Sequence, residues 1–167
     1  MVQYFKFRDE DSFFIISIKS KLFLLPCDTK FNDMATSHTI YLGELRTENE
    51  HIRSGKKILT DAPVDNQGKG EAFSPTDLVA TALSDCMMTI MGIKARDKGL
   101  DLVGTTIETT KIMSSDPRRI GEIIVVFTFL KNEFSEKDKT IFEAVTKTCP
   151  VALSLHPDVK QTVKFNW

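Results

Sequence analysis

The stretch from Ser74 to Gly99 constrains this chain most, because it carries the start, body and stop signals of one long helix. Ser74 is a good N-cap. Pro75 suits the first helical position, where its missing N–H is not needed, and Asp77 stands where a side chain can reach back to the cap. The body is apolar at Leu78, Val79, Ala82, Leu83, Cys86, Met87, Ile90 and Met91. Those positions recur three and four apart and form a broad apolar stripe, which Gly99 ends. Such a helix needs cover, so it is expected at the centre of the core.

The flanks supply strands. Thr39 to Arg46 alternates apolar and polar residues, and a second strand is expected from His51 to Leu59, with Ser54-Gly55 able to bend or turn. Residues 60–73 follow as an aperiodic loop containing Pro63, Gly68 and Gly70. After the helix, residues 103–113 alternate. Residues 120–130 are β-branched and apolar on both faces, as in a strand covered on each side, and Asp116-Pro117 marks the turn between them. Ser135 opens a second helix with Glu136 and Asp138 in its first turn, where they favour the positive end of the dipole. This helix carries Ile141, Phe142, Val145 and Cys149 until Pro150 interrupts it, and a further short helical turn is expected over 150–155. The last residues alternate strictly, with Lys160 and Lys164 on a wet face, as in an edge strand. The order of elements predicts an α+β domain.

Residues 1–33 mix charges with aromatics and fall outside this pattern. They are expected to be an N-terminal extension, disordered or not native to the domain, which occupies 34–167. Cys27 within it is expected to be a free thiol without function.

A length of 167 residues suits one domain. The formal net charge of -1 points to no nucleic-acid or anionic-membrane partner, and no apolar run is expected to reach membrane-span length. Three cysteines are poor material for a secreted disulfide scaffold and suit a reducing, cytoplasmic compartment. Their spacing relative to the histidines forms no metal motif, and nothing calls for a cofactor.

Two cysteines carry candidate chemistry. Cys86 lies on the apolar stripe, where it reads either as a small core residue or as a nucleophile that needs a cation nearby. Cys149 precedes Pro150, at a helix start whose unpaired N–H groups would favour a thiolate; it could equally cap or pack. Arg46 and Arg53 are the candidate cations.

The segments GKGEAFSPTDLVATALSDCMMTIM, KTCPVALSLHP and, more weakly, GELRTENEHIRSGKKILTDAP together resemble the OsmC/Ohr family over residues 38–167. The SPTDL form is similar to the general OsmC-like branch. The resemblance implies an intertwined homodimer, with antiparallel sheets packed around long central helices and active sites at the subunit interface. It implies a thiol-dependent peroxidase acting on organic hydroperoxides. Cys86 would be the peroxidatic residue, passing through a sulfenic acid, and Cys149 the resolving residue, closing a disulfide. A dithiol reductant of lipoyl or thioredoxin type would reset the pair. The family's arginine best matches Arg46 by its distance from Pro63. Leu78, Leu83, Met87 and Ile90 would offer apolar surface to the substrate.

One position departs from the peroxidases. Where they carry a glutamate after the helix-start proline to orient the arginine, this chain has Thr76. Thr76 cannot form a bidentate pair with a guanidinium, which leaves Asp77 as the substitute, with its own cap as a competing role. Two alternatives stay open. One is a non-peroxidase OsmC-like dimer that binds small molecules or lipids. The other is an interaction module whose cysteines lie too far apart to bridge, with Cα atoms more than roughly 7 Å apart.

Overall fold

The computed structural model describes residues 13–18, 21–26, 35–130 and 133–167. Strands β1 (Phe13–Ile18), β2 (Lys21–Pro26), β3 (Ser37–Gly43), β4 (Arg46–His51) and β5 (Lys56–Asp61) come first. A single 3-10 turn at Val64–Asn66 leads to α1 (Pro75–Asp97). Then come β6 (Thr106–Ser115), β7 (Arg118–Thr128), α2 (Glu136–Thr146), α3 (Pro150–Ser154) and β8 (Lys160–Asn166). The strand orders are β1-β2, β3-β4-β5 and β6-β7-β8, so the chain is α+β as expected.

The chain forms two units, residues 1–40 with 48–58, and residues 41–47 with 59–167. In the first, β1 and β2 pair antiparallel from Phe13 opposite Pro26 to Ile18 opposite Lys21, inside the expected extension. Thr39 Oγ1 donates to Asn49 Oδ1 at 2.7 Å, and Lys57 Nζ meets Glu48 Oε1 at 2.7 Å. Cys27 and Met34 lie outside the described residues.

In the second unit, the strand expected over 39–46 breaks. Gly43, Glu44 and Leu45 adopt φ of 88°, 49° and 62°, a left-handed turn that reverses the chain and makes Arg46 the first residue of β4. Glycine fits the first of these positions at no steric cost. In the first unit, the bend expected at Ser54-Gly55 is a full turn between β4 and β5.

Helix α1 starts as expected. The Ser74 side chain accepts from Asp77 N, while the Asp77 side chain accepts from Ser74 N at 2.8 Å, a complete capping box. The helix is long and apolar enough by composition to cross a membrane, which corrects the expectation that no segment here qualifies. Its inward face (Ala80, Leu83, Ser84, Met87, Met91 and Ala95) is buried, and it packs on β6, β7, α2 and α3. The broad stripe thus resolves into two faces. The second, through Leu78, Ala82, Cys86 and Ile90 with Val79 and Ile93 beside it, is half-buried or exposed.

β7 is the central strand. Ile123, Val125 and Phe127 are fully buried, whereas Ile124 and Val126 on its other face are only half-buried, so cover is complete on one side only. β6 pairs with it antiparallel. β8 pairs with it in parallel, from Glu122 opposite Lys160 to Thr128 opposite Asn166, so this sheet is mixed and not antiparallel as the resemblance implied. The cause is the connection. α2 and α3 form a helical crossover from β7 to β8, and a crossover returns the chain in the same direction. Phe127, Phe129, Phe134, Phe142 and Phe165 close the core with Trp167, which stacks on Phe129 with centroids 4.3 Å apart.

Candidate active site

Pro150 organises the second cysteine. Cys149 is not on α2 as expected, since α2 ends at Thr146; the residue before a proline is biased away from helical backbone, and Cys149 takes φ -64° and ψ 131° as the N-cap of α3. Pro150 then fills the first helical position, where no N–H is missed. The Cys149 Sγ accepts from Ala152 N at 3.3 Å and is fully buried within the hydrophobic core. Cys86 on α1 is half-buried and packs against that core. The two thiols are near enough to influence each other, and neither is in a disulfide. Their proximity weighs against the alternative of distant cysteines.

Burial pushes the Cys149 thiol above its ordinary pKa, and the neighbouring Cys86 side chain pushes it further. The N–H groups of Ala152 and Val151 pull the other way without prevailing. The sequence suggested a thiolate at this helix start. Desolvation of a fully buried sulfur outweighs the N-terminal donors, so Cys149 stays protonated beside Cys86.

Arg46 lies elsewhere in the same unit. Its Nε donates to Asp61 Oδ1 and its Nη2 to Asp61 Oδ2, both at 2.7 Å, and Nη2 also reaches Glu71 Oε2 at 2.5 Å. Among the described residues, its hydrogen bonds go to these carboxylates and not to a thiol. The Arg46 hydrogen bonds hold the Asp61 carboxyl below the usual carboxylate range. The loop geometry that allows this depends on Gly68, where a Cβ would meet the Ala62 carbonyl oxygen at 1.7 Å. Lys69 pairs with Glu44 nearby.

Asp77 is committed to its competing role. Beyond the capping box, its Oδ1 pairs with Lys111 Nζ at 2.7 Å, and the same ammonium donates to Thr76 Oγ1 at 2.7 Å. Asp61 and Glu71, not Asp77, are the carboxylates on Arg46. Neither was singled out from sequence. The available signal was Asp61 at the end of β5, followed at once by the Pro- and Gly-bearing loop.

The four expected apolar contacts separate. Leu78 and Ile90 share the outward row with Cys86, whereas Leu83 and Met87 face the core and are buried. Met87 also lines a pocket of about 560 Å³ with Thr146, Lys147, Ala152, Gln161 and Phe165. Among the described residues no group of three or more His, Cys, Asp or Glu could hold a metal ion.

The profile of the OsmC-like protein family matches residues 68–164. A crystal structure from Psychrobacter arcticus 273-4, of a protein designated osmotic stress induced and detoxification response, is 55% identical with a TM-score of 0.76. The match covers 79% of this chain and 96% of that one. An organic hydroperoxide resistance protein OsmC from Legionella pneumophila is 14% identical with a TM-score of 0.64, covering 80% and 98% of the two chains. An OsmC-like protein from Mycoplasma pneumoniae is 18% identical with a TM-score of 0.64, covering 77% and 93%. At these lower identities the likeness is one of fold. No curated protein matches the chain.

Proposed function

The chain belongs to the OsmC-like family, and from that premise we propose that it is a thiol-dependent peroxidase that reduces organic hydroperoxides as a homodimer in the cytoplasm. One observation carries this reading: Cys86 and Cys149 are near enough to influence each other, the first half-buried and the second fully buried. The accessible sulfur meets the peroxide, and the protected one waits beside it.

The chemistry balances as follows. The Cys86 thiolate attacks the terminal peroxide oxygen and the O–O bond breaks. The alcohol leaves after taking up a proton, and Cys86 becomes a sulfenic acid. The Cys149 thiol then attacks that sulfur, water departs and the disulfide forms. A dithiol carrier of lipoyl or thioredoxin type reduces the disulfide and is itself oxidised. Keeping Cys149 protonated until that second step prevents it from competing for peroxide.

The dimer reading is supported by apolar surface that a lone chain leaves open. Val79 and Ile93 on α1 are exposed, as are Tyr41, Leu42, Leu59 and Phe73. A second copy covers the outward face of α1, and the cation for the Cys86 thiolate comes from Arg46 once the dimer forms.

Replacing Cys86 by serine should abolish consumption of cumene hydroperoxide, and replacing Cys149 by serine should leave a single turnover. Undiminished activity in the Cys86→Ser protein removes the proposal. A second reading, a dimer that binds small molecules or lipids, is favoured by Thr76 and by the 560 Å³ pocket. It predicts that both thiols stay free after exposure to the hydroperoxide.

A further inference from the structure

We propose that the pocket lined by α1, α2, α3 and β8 is a binding site for an aliphatic carboxylate of medium chain length, with its tail against the core and its head at Lys147 and Lys164. This rests on the small-molecule reading of the pocket and stands whether or not the chain reduces peroxides. The pocket has a volume of about 560 Å³, inside the range of ~300–1,000 Å³ usual for small-molecule sites. Met87, Ala152, Val163 and Phe165 give it an apolar wall. Met87 is 2% exposed, so this wall reaches the core itself. Met87 belongs to the inward face of α1, whereas Cys86 shares the outward row with Leu78 and Ile90. The pocket is therefore a different surface from the one on which a peroxide would meet Cys86.

The polar groups say what the head must be. Thr146 is buried, and its hydroxyl is spent on Glu143 O at 2.8 Å. Gln161 Nε2 donates to Ala152 O at 3.0 Å. These donors hold backbone, so the charged side chains are what the pocket offers a ligand. Lys147 at the end of α2 and Lys164 on β8 both line it and are exposed, which suits ammonium groups at a wet rim. Among the described residues neither is in an ion pair, and Glu122, near Lys164, is paired with Lys160 at 3.0 Å. Glu143 is the one carboxylate of the lining, and it pairs with neither lysine. Two positive charges against one negative leave room for a monoanion. The apolar wall sets the tail. The Phe165 ring is already stacked with Phe127 and with Trp167, at centroid distances of 5.4 and 5.5 Å, so the pocket favours an aliphatic chain over a stacking aromatic one. Met87 can adapt to such a chain.

The test is calorimetric titration of the reduced full-length protein with octanoate, beside acetate, octanol and octylammonium. Octanoate should saturate at one per chain. Acetate should bind roughly 10²-fold or more weakly, because it has no chain to bury. Octanol should bind more weakly than octanoate, and octylammonium should give no saturable heat. Lys147→Gln and Lys164→Gln should each weaken octanoate roughly threefold to fivefold, the scale of an exposed ion pair, and together roughly tenfold or more, while octanol is unaffected. Glu143→Gln should strengthen octanoate. These three side chains are exposed, so the variants should fold, which melting curves check. Equal binding of octanoate and octylammonium, acetate as tight as octanoate, or wild-type affinity in the doubly substituted protein overturns the proposal. Counting free thiols after cumene hydroperoxide in the same preparation keeps the readings apart. Octanoate binding with thiols lost supports the site and sinks only the non-peroxidase reading. No octanoate binding with both thiols free overturns the site and leaves that reading to another ligand.

Discussion

Oxidising the reduced protein with one equivalent of cumene hydroperoxide should raise its melting temperature, by an amount that follows from where the two sulfurs lie. A Cys86–Cys149 bond closes a loop of about 63 residues. Chain-entropy loss in the unfolded state for a loop of that size is about 14 cal/mol/K, or about 4 kcal/mol at 25 °C. Cys149 also caps α3 through its sulfur, and a disulfide sulfur is a poorer acceptor than a thiol, which costs about 1 kcal/mol. The remaining 3 kcal/mol or so corresponds to a rise of roughly 6–12 °C for a chain of this length. This assumes that closing the bond moves little backbone, since the two thiols are near enough to influence each other. The assay is calorimetry of reduced and oxidised protein, with peptide mapping to confirm the bond, and Cys149→Ser should show no rise. Coincident melts despite a mapped disulfide would mean that closing the bond strains the fold as much as it restrains the unfolded chain. A map with Cys86 over-oxidised and Cys149 free would mean the sulfurs do not meet in solution.

Other outcomes follow from the same geometry. Leu83→Ala on the buried face of α1 should cost about 3–5 kcal/mol in denaturant unfolding. Ser74→Ala should cost about 1–2 kcal/mol, since it removes the acceptor for Asp77 N. Val79→Lys combined with Ile93→Lys should convert the proposed dimer to monomer in sedimentation, with far-UV circular dichroism unchanged. The Asp61 carboxyl titrates below the ordinary carboxylate range, chiefly through its hydrogen bonds from Arg46. Its stabilisation is therefore complete above pH about 4 and fades as pH falls through the lowered folded value. Acid unfolding of Asp61→Asn should accordingly take up fewer protons and depend less steeply on pH below that point than wild type.

Much of the architecture was legible because its signals are local. Ser74, Pro75 and Asp77 write the start of α1 within four residues, and Ser135 does the same for α2. Pro150 fills the first position of α3, so the capping position of Cys149 could be read from the adjacent residue. Where local signals were weak the reading slipped. Thr39 to Arg46 alternates without a break, yet three residues with positive φ turn the chain at Gly43, and only a reversal shared with β4 accounts for them.

Local signals wrote the cap at each helix start and the apolar stripe of α1, and they put Cys86 on one helix and Cys149 at the start of another. Whether those sulfurs meet was decided only when α3 packed on α1, because contact between residues 86 and 149 depends on how a long loop closes and not on any pattern near either one. The same holds for the arginine's carboxylate. Asp61 and Glu71 reach Arg46 across strands and a folded loop, while the nearer-looking Asp77 is taken by Lys111 from β6. Caps and periodicity are set by neighbours in the chain, whereas ion pairs and thiol pairs are set by which surfaces the buried core brings face to face.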